Sequence, residues 1–438
     1  MAQDSFRVGI VGGGIAGLTL AQGLKKAGIA VSVFERDRTR SDRLQGYRVH
    51  ISPAGSRALH DCLPPALFDA FVATCGRSGG AFTFFDDQLR ELLRIDSPPG
   101  ADPASSHHSV SRITLRQVLL SGLDDVVQFD KTFRHYDADG DGVVAHFTDG
   151  TFARCDVLVA ADGGNSRVRR QFLPQAARRD TGVRAIAGKV ALTAATRARI
   201  APALLRGAAL MMAPQRISFF LAPQEFGACR APLADGNAAG VGGNDASRAH
   251  GVLFDNTQDY VMWAMGGRPE TLGLGRAPDT LDGDELQRLA LGAAADWARA
   301  CRDLIRLADP ATVSLLKIHT SDPVAPWPSA RITVMGDAIH AMTPYKGIGA
   351  NVALRDAGLL CRQLVAAQRG ELPLLQAIGA YEAAMRDYGF AAVRDSLHAM
   401  EQAVGPRGWG FAIAKAGMRA LNALPPVKRF VFRRMADA

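Results

Sequence analysis

With 438 residues, 47% hydrophobic and 21% charged, the chain has a globular composition and room for two or three domains. No run of about 18 apolar residues is present to span a membrane, and six scattered cysteines without a C-x-x-C pair point to reduced thiols. Residues 405–438 hold seven Lys and Arg against one Asp, most of the net +8; with charge so local and no recognition motif, a nucleic-acid partner is not expected.

In chain order, Phe6–Val11 reads as a strand, followed by Gly12-Gly13-Gly14-Ile15-Ala16-Gly17. Gly12, Gly14 and Gly17 fit G-x-G-x-x-G: the first for a sharp turn, the second for close approach of a pyrophosphate, the third for helix–strand packing. The helix N-terminus at Ile15 and Ala16 offers N–H groups to phosphate. Apolar Ile15, Leu18, Ala21 and Leu24 recur at helical spacing up to Gly28. The strand Ile29–Phe34 then ends in Glu35 and Arg36, where an acid grips a ribose in dinucleotide sites. At this point FAD and NAD are both open. A strand so close to Met1 leaves no room for a signal peptide, so the expectation is a cytoplasmic protein.

Asp141-Gly142 and Asp149-Gly150 are turns of a hairpin-like stretch. Cys155–Ala160 is an apolar strand leading to Asp162-Gly163, where a carboxylate can orient a ribose or a neighbouring backbone. From about 180 to 318 the pattern changes to alternating strands, predicted at Lys189–Thr193, Ala208–Met212, Ile217–Ala222 and Tyr260–Met265. Phe220 and Trp263 in these strands are candidates for an apolar substrate wall, although periodicity does not say which face they occupy. Gly227–Ala249, rich in Gly, Ala, Asn and Asp, reads as an excursion that could cover an entrance. A short strand, Ile332–Met335, precedes Gly336-Asp337, then Pro344, Gly347, Gly349, Ala350 and Asn351, and a helix follows. Its N-terminus would favour negative charge on a ligand.

As a set these motifs resemble the single-component, class A flavoprotein monooxygenases, with a para-hydroxybenzoate hydroxylase-like fold and a layout closest to the tetracycline-inactivating oxygenases. The resemblance implies an α/β, Rossmann-like FAD-binding domain of the glutathione-reductase type, a sheet-rich substrate domain and a C-terminal helical tail. The FAD-binding domain would comprise 1–76, 101–179 and 319–404, the substrate domain 77–100 and 180–318, and the tail 405–438. Gly12, Gly14 and Gly17 would hold the pyrophosphate and Glu35 the adenosine ribose. Arg112, heading the stretch Arg112–Leu120, would reach the ribityl and phosphate region. Asp162 and Asp337 would meet cofactor hydroxyls, and Pro344, Gly347 and Gly349 would lie against the isoalloxazine.

Gly46–Pro53 resembles the family strand beside the flavin, before a short helix Ala54–Leu63. Alternation puts Arg48 and His50 on one face, as candidates for flavin and substrate contacts. Ile339 and Ile348 replace the Ala and Gln of many relatives, and His340 reads as a structural hydrogen-bonder. The implied reaction uses NADH or NADPH and dioxygen to oxygenate an aromatic or polycyclic small molecule through a flavin hydroperoxide. No metal cluster or Ser-His-Asp set is demanded. Alternatives are a flavin-dependent halogenase, whose W-x-W-x-I-P signature is absent, a reductase, or a flavin-bound protein that sequesters an intermediate without turnover. A monomer and a homodimer are both compatible with the sequence. The basic tail is expected to dock by its apolar face with its charges wet; weak contact with a membrane surface is the alternative.

Overall fold

The computed structural model describes residues 6–40, 48–77, 80–96, 100–226, 258–275, 277–406 and 408–428. Gly46, Tyr47 and the Gly227–Ala249 excursion lie outside the described residues. Five parallel strands form one sheet in the order Ile332–Val334, Val157–Ala160, Arg7–Val11, Ala30–Phe34, Val127–Gln128. Their central members are almost wholly apolar because both faces are covered. Helices Ile15–Lys26 and Gly349–Gln368 pack together, and a three-stranded antiparallel meander, residues 133–155, docks with Phe147 4.7 Å from Phe34. The register decides the rest. Val11 lies beside Ala160, and Ala160 beside Val334. The chain therefore leaves three neighbouring strands at one level, at Gly12, Asp162 and Gly336. Open α/β sheets bind ligands at such carboxyl ends.

A seven-stranded sheet carries the second core, in the order Ser314–Ser321, Arg178–Ala191, Tyr260–Gly267, Ser218–Gln224, Ala208–Met212, Ala81–Asp86, Glu91–Asp96. The strand predicted at Lys189–Thr193 is the end of the 14-residue strand Arg178–Ala191. Its start was hidden because a bulge between Asp180 and Arg184 breaks the alternation, and Thr193 instead caps the helix Ala194–Arg197. This strand and Ser314–Ser321 both run across the joints predicted at 179/180 and 318/319.

Helix Leu374–Val404 ties the two sheets together. Tyr381 Oη donates to Val334 O at 3.0 Å, while Met400 and Val404 pack on Val183 and Ile318. The tail helix, Trp409–Asn422, lies on strand Glu91–Asp96 with a mixed face toward the body, Phe411, Lys415, Met418 and Asn422 being half-buried, instead of the expected apolar one. Lys415 and Arg419 point inward to Asp87 and Asp86, and Trp409 and Ile413 point out. The reason is the acidic edge formed by Asp86, Asp87 and Glu91, which the sequence pattern of the helix alone does not reveal.

Candidate active site

Each glycine of the first turn has a distinct physical duty. Gly12 has φ +111°, and a Cβ there would lie 2.3 Å from Ala161 O. A Cβ on Gly17 would lie 2.2 Å from Gly12 O, whereas one on Gly14 would meet nothing within 4 Å. Two of the glycines thus close the turn, and the third leaves room for a ligand. Glu35 is buried, its Oε2 accepting from Gly13 N at 2.6 Å and its Oε1 from Asp37 N at 2.9 Å. Arg116 donates to Gly13 O at 3.1 Å and to Asp37 at 3.4 Å. The sequence reading missed Arg116, although it lies one helical turn beyond Arg112 and so shares its face.

These residues bound a cavity of about 570 Å³ lined by Gly12, Gly14, Ile15, Glu35, Arg36, Arg112, Arg116 and Asp162. Asp162 Oδ2 accepts from Arg167 N at 2.8 Å, while Oδ1 is buried with no partner among the described residues. Burial raises the pKa of this carboxyl. An orphaned carboxylate oxygen on a cavity wall fits a ligand hydroxyl. Together with the open space over Gly14, it makes the residues present suited to an adenine dinucleotide with a polyol chain.

The third motif is brought to the same place by groups remote in sequence. Arg169 is buried and donates to both Gly164 O, 3.1 Å, and Ala338 O, 2.8 Å, joining the Asp162 loop to the Gly336 turn. Gly336 has φ +60°, and a Cβ there would touch Ala16 Cβ at 3.4 Å. Its N–H donates to Asp356 Oδ2 at 2.7 Å, and that oxygen also lies 2.6 Å from His340 Nε2. Burial opposes charge on His340, but Asp356 outweighs it and the pKa rises. Tyr388 Oη completes the buried cluster, donating to Asp356 Oδ1 at 2.6 Å. His340 is thus a structural hydrogen-bonder, and Asp356, unremarked in the sequence, is the hub. Asp337 is left exposed, as are Pro344 and Gly347, while Gly349 and Ala350 are half-buried.

Asn351 Nδ2 donates to His50 O at 2.9 Å, and its Oδ1 accepts from Ser52 N at 2.7 Å. Its side chain thereby fixes strand Arg48–Ile51 against the helix. On that strand Arg48 Nε donates to Ser109 Oγ at 2.7 Å on the paired strand His108–Ser111, and Ser109 Oγ to Gln224 Oε1 at 2.6 Å, tying this two-stranded sheet to the seven-stranded one. Burial pulls Arg48 down to about 10, so it stays charged at neutral pH. The His50 ring stacks on His107, with Nε2 3.1 Å from His107 Nδ1. Desolvation, then the charge of Arg48, holds His50 at about 4.

The large sheet faces this region with alternate residues. Ser218, bonded to Tyr345 Oη at 3.2 Å, and Gln224, bonded to Ser109, mark the inner face. Phe220 lies between them on that face, beside Leu210 and Ala264, and is half-buried. Trp263 does not. It is fully buried on the outer face, stacked on Phe219, which in turn packs edge-on against Trp297, so it is a core residue and not a substrate contact. The period of two sends it opposite to Phe220.

Comparison with known proteins agrees with this geometry. Residues 263–396 match the FAD binding domain family, and residues 10–72 match an NAD(P)-binding Rossmann-like domain. The FAD-dependent monooxygenase dbaB of Emericella nidulans is 30% identical, over 82% of this chain and 86% of its own. The chain belongs to the FAD-dependent monooxygenase family. A putative FAD-containing monooxygenase of Photorhabdus luminescens superposes with a TM-score of 0.78 at 32% identity, covering 91% of this chain and 99% of that one. The dual O-methyltransferase/FAD-dependent monooxygenase CTB3 of Cercospora beticola is 32% identical over 87% of this chain. This family member spans only 44% of the length of CTB3. Among the described residues no helix is long and apolar enough to cross a membrane.

Proposed function

We propose that the protein is an FAD-dependent monooxygenase that uses NADH or NADPH and dioxygen to oxygenate an aromatic or polycyclic small molecule in the cytoplasm. The observation that carries this is the orphaned Asp162 oxygen in a cavity of about 570 Å³ walled by the glycine turn, Glu35 and Arg112. Bound FAD would supply the electron transfer and oxygen activation that no side chain provides. The chain's own residues bind, orient and exclude water. Gly12, Gly14, Gly17, Glu35 and Arg36 would hold the pyrophosphate and adenosine, with Arg112 on the phosphate and ribityl region. Asp162 and Asp337 would accept hydroxyl protons, and Pro344, Gly347, Gly349 and Ala350 would flank the ring. The inner face around Phe220 would press a planar substrate toward it, keeping water out. His50, held neutral, faces His107 through Nε2 and Nδ1 at 3.1 Å.

The proposed division gives 1–76, 101–179 and 319–404 to the cofactor and 77–100 and 180–318 to the substrate; the separate five- and seven-stranded sheets support this reading. The test is direct: a yellow protein whose NAD(P)H oxidation accelerates with polycyclic phenols, giving a product heavier by one oxygen. Halide-dependent product, or tight substrate binding without faster nucleotide oxidation, would refute it.

A further inference from the structure

The antiparallel meander carries a cluster of side chains that the reaction does not use. Strand Phe133–Ala138 pairs with strand Val143–Phe147 so that His135 stands directly opposite His146. Their rings are stacked, with centroids 4.5 Å apart and planes within 6°. Asp137, two residues beyond His135, shares its face. Asp137 Oδ2 lies 3.0 Å from His146 Nε2 and 3.9 Å from His135 Nε2, and one donor atom from each residue falls within 4.8 Å of the others. None of the three lines the cofactor cavity. On the opposite face Val143, Ala145 and Phe147 are buried, which holds the backbone beneath the cluster in place. Arg154, on the neighbouring strand, is taken up by Asp139 at 2.7 Å. Among the described residues the ion pairs of Asp137 are with the two histidines. No sequence spacing announces this cluster, because strand pairing and not a helical repeat brings His135 to His146.

We propose that His135, Asp137 and His146 form a binding site for a divalent transition-metal ion of the zinc type. Two imidazoles and a carboxylate suit Zn²⁺ and Cu²⁺, whereas Ca²⁺ and Mg²⁺ take oxygen ligands. Bonds of about 2.0–2.2 Å set the ligand atoms of a tetrahedral site roughly 3.3 Å apart. The Asp137–His146 separation is already of that size, and a small rotation of His135, whose side chain is 44% exposed, closes the rest. Three protein ligands leave the fourth position to water. A proton alone accounts for less of the arrangement. It can bridge Asp137 and His146, but His135 at 3.9 Å is outside hydrogen-bond reach of the carboxylate. A metal ion engages all three and clamps the two strands together. The inference is independent of the reaction proposed above.

The test uses the untagged, FAD-loaded full chain, stripped of metal with a chelator. Zn²⁺ is titrated by calorimetry, and Cu²⁺ is followed by electron paramagnetic resonance, in which oxidised flavin is silent. The expected result is one Zn²⁺ per chain and a Cu²⁺ spectrum split by two nitrogens. His146→Gln and His135→Gln should each weaken Zn²⁺ binding by at least the about 10–100-fold that loss of an outer-shell partner costs. Each should also remove one nitrogen from the splitting while flavin absorbance stays unchanged. Should a histidine variant fold poorly, Asp137→Asn, at a side chain 70% exposed, should weaken Zn²⁺ binding about tenfold and keep both nitrogens. His50 and His107 form another close imidazole pair, so His50→Gln is the control and should leave Zn²⁺ affinity unchanged. Absence of Zn²⁺ binding overturns the proposal. So does binding that survives the loss of both His135 and His146, or binding that is lost in His50→Gln.

Discussion

The two faces of the seven-stranded sheet are built from the same strands and serve opposite ends. On the outer face Phe219, Leu221, Val261, Trp263 and Met265 are sealed beneath helices Gly283–Ala293 and Arg299–Arg306. On the inner face, the one that carries the Ser218–Tyr345 and Gln224–Ser109 bonds, Phe82, Phe84, Leu210, Met212 and Phe220 remain half-buried. A sheet with both faces sealed would have greater stability and no place for a ligand. Leaving one face open sacrifices apolar burial, at roughly 25 cal/mol per Å², for a wall that a substrate can complete.

Substitutions on the two faces should therefore separate stability from function. Trp263→Ala should cost the most, about 3–5 kcal/mol of folding free energy in denaturant titration. A loss below about 1 kcal/mol would mean that the outer face is not the core. Gly266→Ala comes next, because its Cβ would lie 2.2 Å from Tyr345 Oη and 2.8 Å from Ser218 Oγ. It should displace the Pro344–Lys346 turn and raise the share of NAD(P)H oxidised without product; unchanged coupling would show that the turn does not depend on this contact. Phe220→Ala should reduce stability by only about 1 kcal/mol but raise KM for polycyclic substrates. An equal effect on stability to that of Trp263→Ala would erase the distinction between the faces.

The smallest effect concerns pH. His50 is held at about 4 against an ordinary 6.5, so the unfolded chain takes up its proton first as pH falls. Its neutral form is fully accommodated above 6.5, and stability is lost progressively between 6.5 and about 4. His50→Gln should flatten part of that acid slope in urea titrations at pH 7 and pH 5. An unchanged slope would mean that other groups carry it.

Much of the site was legible because its requirements are local. A strand, a turn needing φ above zero at Gly12, a helix start and a terminal acid occupy one continuous stretch, and backbone sterics impose them wherever they occur. The Phe6–Glu35 unit and the helix after Gly349 accordingly formed as read. Asp356 and Arg169 escaped notice because their value lies in what they reach: Gly336 N and His340 for one, Ala338 O for the other. No spacing rule announces a hydrogen bond across 169 residues.

Sequence by itself determined the cofactor turn, the strand and helix order, and the three motif positions, since each depends on backbone geometry within a few residues. Tertiary structure alone decided three further matters. The parallel register set Gly12, Asp162 and Gly336 side by side. Strand pairing turned Phe220 to the inner face and Trp263 to the core. The acidic edge at Asp86 and Asp87 drew Lys415 and Arg419 of the tail helix to the body. Which face of an amphipathic element is buried depends on the partner that meets it, and that partner is distant in the chain.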